Sequence, residues 1–171
     1  MSKWKQIEEL YSVHKNIMFA EAYGILQDEI LAEDAVGEAF FRIVKNIDKI
    51  KMTDSVKIRS LLVIVCRNVA INMYNKRKRE YGLITKTEES IVCEATPEDI
   101  VIDRESVKEI AKIILEMEPI YKDVMIMSKF YNINRKDIAQ MLGITEETVT
   151  KRLQRAKAHI KKCLERSERN D

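Results

Sequence analysis

Apolar residues recur along most of this chain at intervals of three and four, the period of a helix rather than the alternation of a half-buried strand. From Ile7 the positions Ile7, Leu10, Tyr11, His14, Ile17 and Met18 keep that rhythm. His14 falls on this apolar face and reads as a packed core histidine, because His159 belongs to a different predicted helix. The next stripe is longer: Ala32, Ala35, Val36, Ala39, Phe40, Ile43, Val44 and Ile47 run unbroken down one side. The other side carries Glu33, Asp34, Glu38, Arg42 and Lys45, with Phe41 among them. Two readings of Phe41 stand: it meets a partner protein, or it tucks under a neighbouring helix.

A polar connection, "KIKMTDSVK", leads into a third predicted helix from about Val56 to Glu80. Its middle, "LLVIVCRNVAI", is apolar almost all round and is expected at the centre of a domain. Asn68 and Asn72 interrupt it on one face, and its end, "NKRKRE", turns basic. Cations suit the negative end of a helix dipole, and they also attract a phosphate backbone.

Between Thr85 and Thr96 the periodicity fades, and Glu88, Glu89, Glu94, Glu98 and Asp99 outnumber Lys86 there and just beyond. This reads as a flexible acidic linker. "TPED" reopens helix, with Thr96 as N-cap, Pro97 at the first helical position and Asp99 closing a capping box. Val107, Ile110, Ala111, Ile114 and Leu115 make the buried stripe of that helix, which Pro119 ends. A further helix from about Ile120 to Phe130 sets Tyr121, Val124, Met125 and Ser128 on one side.

The segment "DIAQMLGITEETVTKRLQRAKAHI" then breaks and restarts. Asn134 is a good N-cap with Asp137 three residues on, and Ile138, Ala139 and Leu142 point inward. Gly143 supplies a left-handed turn, Thr145 caps the last helix, and Glu146 and Glu147 lie at its positive end. Val149, Leu153, Ala156, Ile160 and Leu164 form the packing stripe. The opposite face presents Glu147, Thr150, Lys151, Gln154, Arg155, Ala158 and Lys162. Short polar residues first and long cations later fit a helix whose start enters a major groove and whose remainder meets phosphates. Arg can pair with guanine, Gln with adenine and Thr with a thymine methyl. The break therefore reads as a helix-turn-helix made for DNA rather than a plain helical hairpin.

Composition agrees with an all-α chain. Among 171 residues there are only four Gly and two Pro, too few turn formers for a sandwich or barrel. The predicted organisation is two small helical domains, residues 1–84 and 97–171, joined by the acidic linker at 85–96, the second being the helix-turn-helix domain. The net charge of +2 says less than its distribution. Cys66, Cys93 and Cys163 are far apart and read as structural or partly exposed thiols, with no metal or cofactor site. No apolar run reaches membrane-spanning length, and "MSKWKQIEEL" lacks the core of a signal peptide, so a cytoplasmic location is expected.

Three blocks, "LAEDAVGEAFFRIVKNIDKI", "SLLVIVCRNVAINMYNKRKRE" and "DIAQMLGITEETVTKRLQRAKAHI", resemble in order the second and fourth conserved regions of bacterial sigma factors of the sigma-70 family. The small extracytoplasmic-function (ECF) type fits best, because the first and third regions of larger sigmas are absent. The resemblance implies an alternative sigma factor that binds core RNA polymerase, directs it to particular promoters and assists melting. It implies that Asp34, Glu38, Phe41 and Arg42 dock on the clamp helices of the beta-prime subunit. Ile50, within the loop from Asp48 to Lys57, would act with Asn68, Asn72, Lys76, Arg77 and Arg79 at the minus-ten element. The second domain would bind the beta flap and set Thr148, Thr150, Lys151, Gln154 and Arg155 at the minus-thirty-five element. The linker would thread toward the polymerase active-site channel, and an anti-sigma factor is an implied partner.

The sequence departs from the family pattern at Gly37, where members usually have Gln, and at Leu61, where Trp is usual. A third departure is Ile50 (or Met52), where many carry an aromatic residue. One rival reading is a helix-turn-helix regulator that acts on duplex DNA without replacing sigma; it leaves the acidic face around Phe41 unexplained. An enzyme, such as a recombinase or nuclease, would need a nucleophile or carboxylate constellation that the sequence does not offer.

Overall fold

The computed structural model describes residues 3–49, 55–81 and 105–167, and among these there are helices and no strand. The chain divides into two compact units, and the described residues hold seven α-helices and one short 3-10 helix, Ile47–Lys49. Ile50, Cys93, the capping sequence at Thr96, Pro97 and Asp99, and both predicted linker boundaries lie outside the described residues.

In the first unit α1 (Lys3–Leu26), α2 (Glu29–Lys45) and α3 (Ser55–Glu80) pack pairwise on one another. Ala32, Ala35 and Ala39 are fully buried, and their small side chains let α2 lie close to its neighbours. Leu61, Leu62, Val65, Cys66 and Val69 fill the middle of α3, the most apolar run of the sequence. Polar links also tie α3 to α1. Cys66 Sγ donates to the Met18 carbonyl at 3.2 Å, and the buried Arg67 pairs with Glu21 at 3.4 Å. Burial pushes the Cys66 thiol up to about 12, so it stays a protonated donor. His14 is half-buried on α1, and that burial, with Arg59 adding to it, lowers its basicity.

The joint between α1 and α2 is short. Gln27 takes a positive φ of 52°, and Asp28 then caps α2, its Oδ1 accepting the Leu31 N–H at 3.0 Å. Asp28 Oδ2 also faces Arg77 at 3.4 Å, which links the start of α2 to the basic end of α3. The Leu31 N–H above all, with Arg77 helping, holds the Asp28 carboxyl below its ordinary value.

The later described residues form α4 (Glu105–Leu115), α5 (Pro119–Lys129), α6 (Arg135–Leu142) and α7 (Glu146–Ser167), of which α4, α5, α7 and the first part of α6 make up the second unit. α5 packs on α7, and α4 lies against both. Pro119 is the first residue of α5, where its missing N–H costs nothing, and α4 has already ended at Leu115. The buried Lys122 reaches back from α5 to donate to the Leu115 carbonyl at 3.3 Å, placing a cation at the negative end of α4. No described helix is long and apolar enough to cross a membrane.

Candidate nucleic-acid interface

Caps mark both ends of α6 and the start of α7. Asn134 Oδ1 accepts the Asp137 N–H at 2.9 Å while its amide donates to Asp137 Oδ2 at 2.7 Å. At the far end of α6, Gly143 has φ +67°, and the Ile144 N–H returns to the Ala139 carbonyl at 3.0 Å. That is a Schellman ending, which needs the left-handed residue that glycine supplies without strain. Thr145 then starts α7, its Oγ1 accepting the Thr148 N–H at 3.1 Å.

α7 buries Val149, Leu153 and Ala156, whereas Ile160 and Leu164, expected in the same stripe, are only half-buried. Lys151, Gln154 and Arg155 are exposed, with half-buried Thr148 and Thr150 nearer the start of the helix. Four of these side chains are bonded within the unit. The Thr148 hydroxyl lies 2.9 Å from that of Thr145, and the Thr150 hydroxyl donates to the Glu146 carbonyl at 2.9 Å. Thr150 thus offers its methyl outward more readily than its hydroxyl. Lys151 pairs with Glu147 at 2.7 Å, and that bond holds the Glu147 carboxyl below its ordinary value. Arg155 Nη1 donates to the Tyr121 hydroxyl at 3.2 Å. Tyr121, set by the sequence on one side of α5 with Val124, Met125 and Ser128, is half-buried and its hydroxyl accepts from Arg155. Lys157, Lys161 and Lys162 extend the cationic exposure along α7.

A second basic region lies at the end of α3. Lys76 and Arg79 are exposed; Lys76 lies 3.9 Å from Glu80, and Arg79 donates to the Asn75 carbonyl at 3.1 Å. Arg77 sits 5.8 Å over the Tyr81 ring, and Lys78 sits 5.7 Å over that of Tyr74. Cations interleaved with aromatic rings offer both charge and stacking surface to a nucleic acid. Asn72 is half-buried. Asn68 is different from the surface reader expected of it: it is 8% exposed, and its amide donates to the Ile64 carbonyl at 2.9 Å within α3.

The outward face of α2 carries the opposite sign. Asp34, Glu38 and Phe41 share one side, and Arg42 Nε pairs with Glu38 at 2.7 Å. Phe41 is 64% exposed, so the reading in which it tucks under a neighbouring helix gives way to the open-surface one. Ile30, one turn ahead of Asp34 and 74% exposed, extends this apolar-acidic face. It escaped the sequence reading because a lone Ile outside the stripe carries no periodic signal. Gly37 lies on the same face, and a Cβ placed there would meet nothing within 4 Å.

A helical unit with an acidic, apolar-tipped face, followed by a helix-turn-helix with a cationic recognition helix, defines a bipartite transcription factor. Residues 10–80 match the family description Sigma-70 region 2, and residues 107–160 match Sigma-70, region 4. The chain belongs to the sigma-70 family of bacterial RNA polymerase sigma factors. One relative is the ECF RNA polymerase sigma factor SigW of Bacillus subtilis (strain 168), 25% identical over 165 residues, which are 91% of this chain and 87% of that protein. Among solved structures, the sigma factor RpoE in co-crystal with the anti-sigma factor NepR from Bartonella quintana is 18% identical. The match covers 94% of this chain and 98% of that one, with a TM-score of 0.38.

Proposed function

We propose that this chain is an alternative sigma factor that binds core RNA polymerase, brings it to particular promoters and assists strand opening. The observation that carries this reading is the pairing of Sigma-70 region 2 and region 4 in one chain. The surfaces support a division of labour. Asp34, Glu38, Phe41 and Arg42 on α2 suit a protein partner, the clamp helices of the polymerase beta-prime subunit, with an aromatic anchor ringed by charge. Thr148, Thr150, Lys151, Gln154 and Arg155 on α7 suit the upstream promoter element, and the second domain would also touch the beta flap.

The basic end of α3, with Lys76, Arg77 and Arg79, would hold the minus-ten region by its phosphates. Asn72 would lie beside them, and Ile50, which precedes α3 in the sequence, would contribute. Asn68, buried with its amide on the Ile64 carbonyl, would act there only from within α3. Opening DNA needs no catalytic group: unstacking costs a few kcal/mol per base, offset when the freed base is pocketed. The domain limits 1–84, 85–96 and 97–171, a cytoplasmic location and control by an anti-sigma factor belong to the same reading. A helix-turn-helix regulator that leaves sigma in place accounts for α6 and α7 but not for the exposed α2 face. Co-purification separates the two: the sigma reading expects core polymerase to bind the chain and Asp34→Lys to weaken that capture with the fold intact. Normal capture by Asp34→Lys would remove the α2 face from the account.

A further inference from the structure

Arg155 stands ten residues into α7, beyond the first turns that a recognition helix places against base edges. Its guanidinium is held across the unit by a residue of another helix: Nη1 donates to the Tyr121 hydroxyl at 3.2 Å. Tyr121 itself sits in the first turn of α5, where its N–H is bonded to the Glu118 carbonyl at 3.0 Å. The adjoining Lys122 anchors that turn to the end of α4. The phenol oxygen that accepts from Arg155 uses a lone pair, which leaves its own hydrogen to donate outward. The turn thus presents an O–H donor beside a guanidinium that it holds by one N–H, and an O–H donor next to a guanidinium is a combination that non-bridging phosphate oxygens take up.

We infer that Tyr121 and Arg155 together form a clamp for one phosphate of the promoter backbone at the upstream element. The clamp fixes the register of α7 in the groove, so Thr150, in the first turns, rather than Arg155 is left to read bases. Tyr121 is a positioning residue for Arg155 and a direct phosphate donor. This inference rests on the sigma-factor reading.

The test uses holoenzyme reconstituted from core polymerase and the full-length chain, on a promoter recovered by run-off transcription from genomic fragments of the source organism. Affinity is measured against salt, and against single base-pair changes across the upstream element, for wild type, Tyr121→Phe, Arg155→Ala and the double variant. Circular-dichroism melting accompanies each variant to show that it folds. The clamp predicts that Tyr121→Phe weakens binding about fivefold, equally for every base-pair variant, as the loss of one hydrogen bond requires. Arg155→Ala lowers the slope of log affinity against log salt by about 0.9, and Tyr121→Phe adds little in the Arg155→Ala background. Wild-type affinity in Tyr121→Phe overturns the clamp, as does a loss confined to particular base pairs. A wild-type holoenzyme that selects no promoter overturns the sigma-factor reading, and the clamp with it.

Discussion

Asn134 and Asp137 cap each other: the amide of one and the carboxylate of the other meet at 2.7 Å, while the Asp137 N–H bonds Asn134 Oδ1 at 2.9 Å. The pair sets where α6 begins, and with it the direction from which the chain enters the turn and α7. Asn134→Ala is expected to cost about 1 kcal/mol of local stability. Hydrogen exchange in the first turn of α6 should quicken about fivefold; unchanged protection there would contradict the capping role.

Gly143 ends the same helix in the left-handed region. Gly143→Ala should destabilise the turn between α6 and α7 by about 1–2 kcal/mol, because an alanine must adopt φ +67° or give up the Ile144–Ala139 bond. A chemical-denaturation midpoint equal to that of wild type would show that the turn relaxes without cost.

Gly37 offers the opposite case. It lies exposed in α2 with room for a side chain, so Gly37→Ala should stabilise the first unit by about 0.5–1 kcal/mol. Gly37→Gln restores the residue that family members usually carry and is expected to stabilise α2 and tighten capture of core polymerase. Stabilisation without tighter capture would separate the helix effect from the docking role.

The Cys66 thiol donates to Met18 inside the first unit, and burial raises it from 9.0 to about 12. The folded state keeps this proton where the unfolded chain has lost it, so stability should fall as pH rises between about 9 and 12. Cys66→Ala should flatten that part of the stability curve. Alkylation at neutral pH should mark Cys163, which is half-buried, and spare Cys66 until the chain unfolds. Rapid native labelling of Cys66 would contradict the packing of α1 on α3.

Much of the architecture was legible because helices write their packing into a three-and-four rhythm, and because Asn134, Gly143 and Thr145 are residues whose backbone preferences mark helix ends. What escaped were features that depend on partners distant in sequence. Periodicity placed Tyr11 inside, yet it is 40% exposed and packs edge-on against Phe40 at 4.9 Å. Arg67 and Lys122 are buried charges whose bonding groups on Glu21 and Leu115 no pattern reveals. Asp28 was readable in principle, as an acidic residue three before Leu31 at the start of a stripe. Asn68 carried a family role suited to an exposed side chain, whereas here the fold spends its amide on Ile64. Tyr121 had no signal of its own: only the folded unit brings its hydroxyl to Arg155.

The most direct measurement is run-off transcription with sigma-free core polymerase, genomic promoter fragments and purified full-length chain. The account predicts discrete transcripts from a defined subset of promoters only when the chain is added, lost when the exposed α2 face is reversed by Asp34→Lys. Transcription that is indifferent to the chain, with polymerase starting at the same places with or without it, would contradict the central claim.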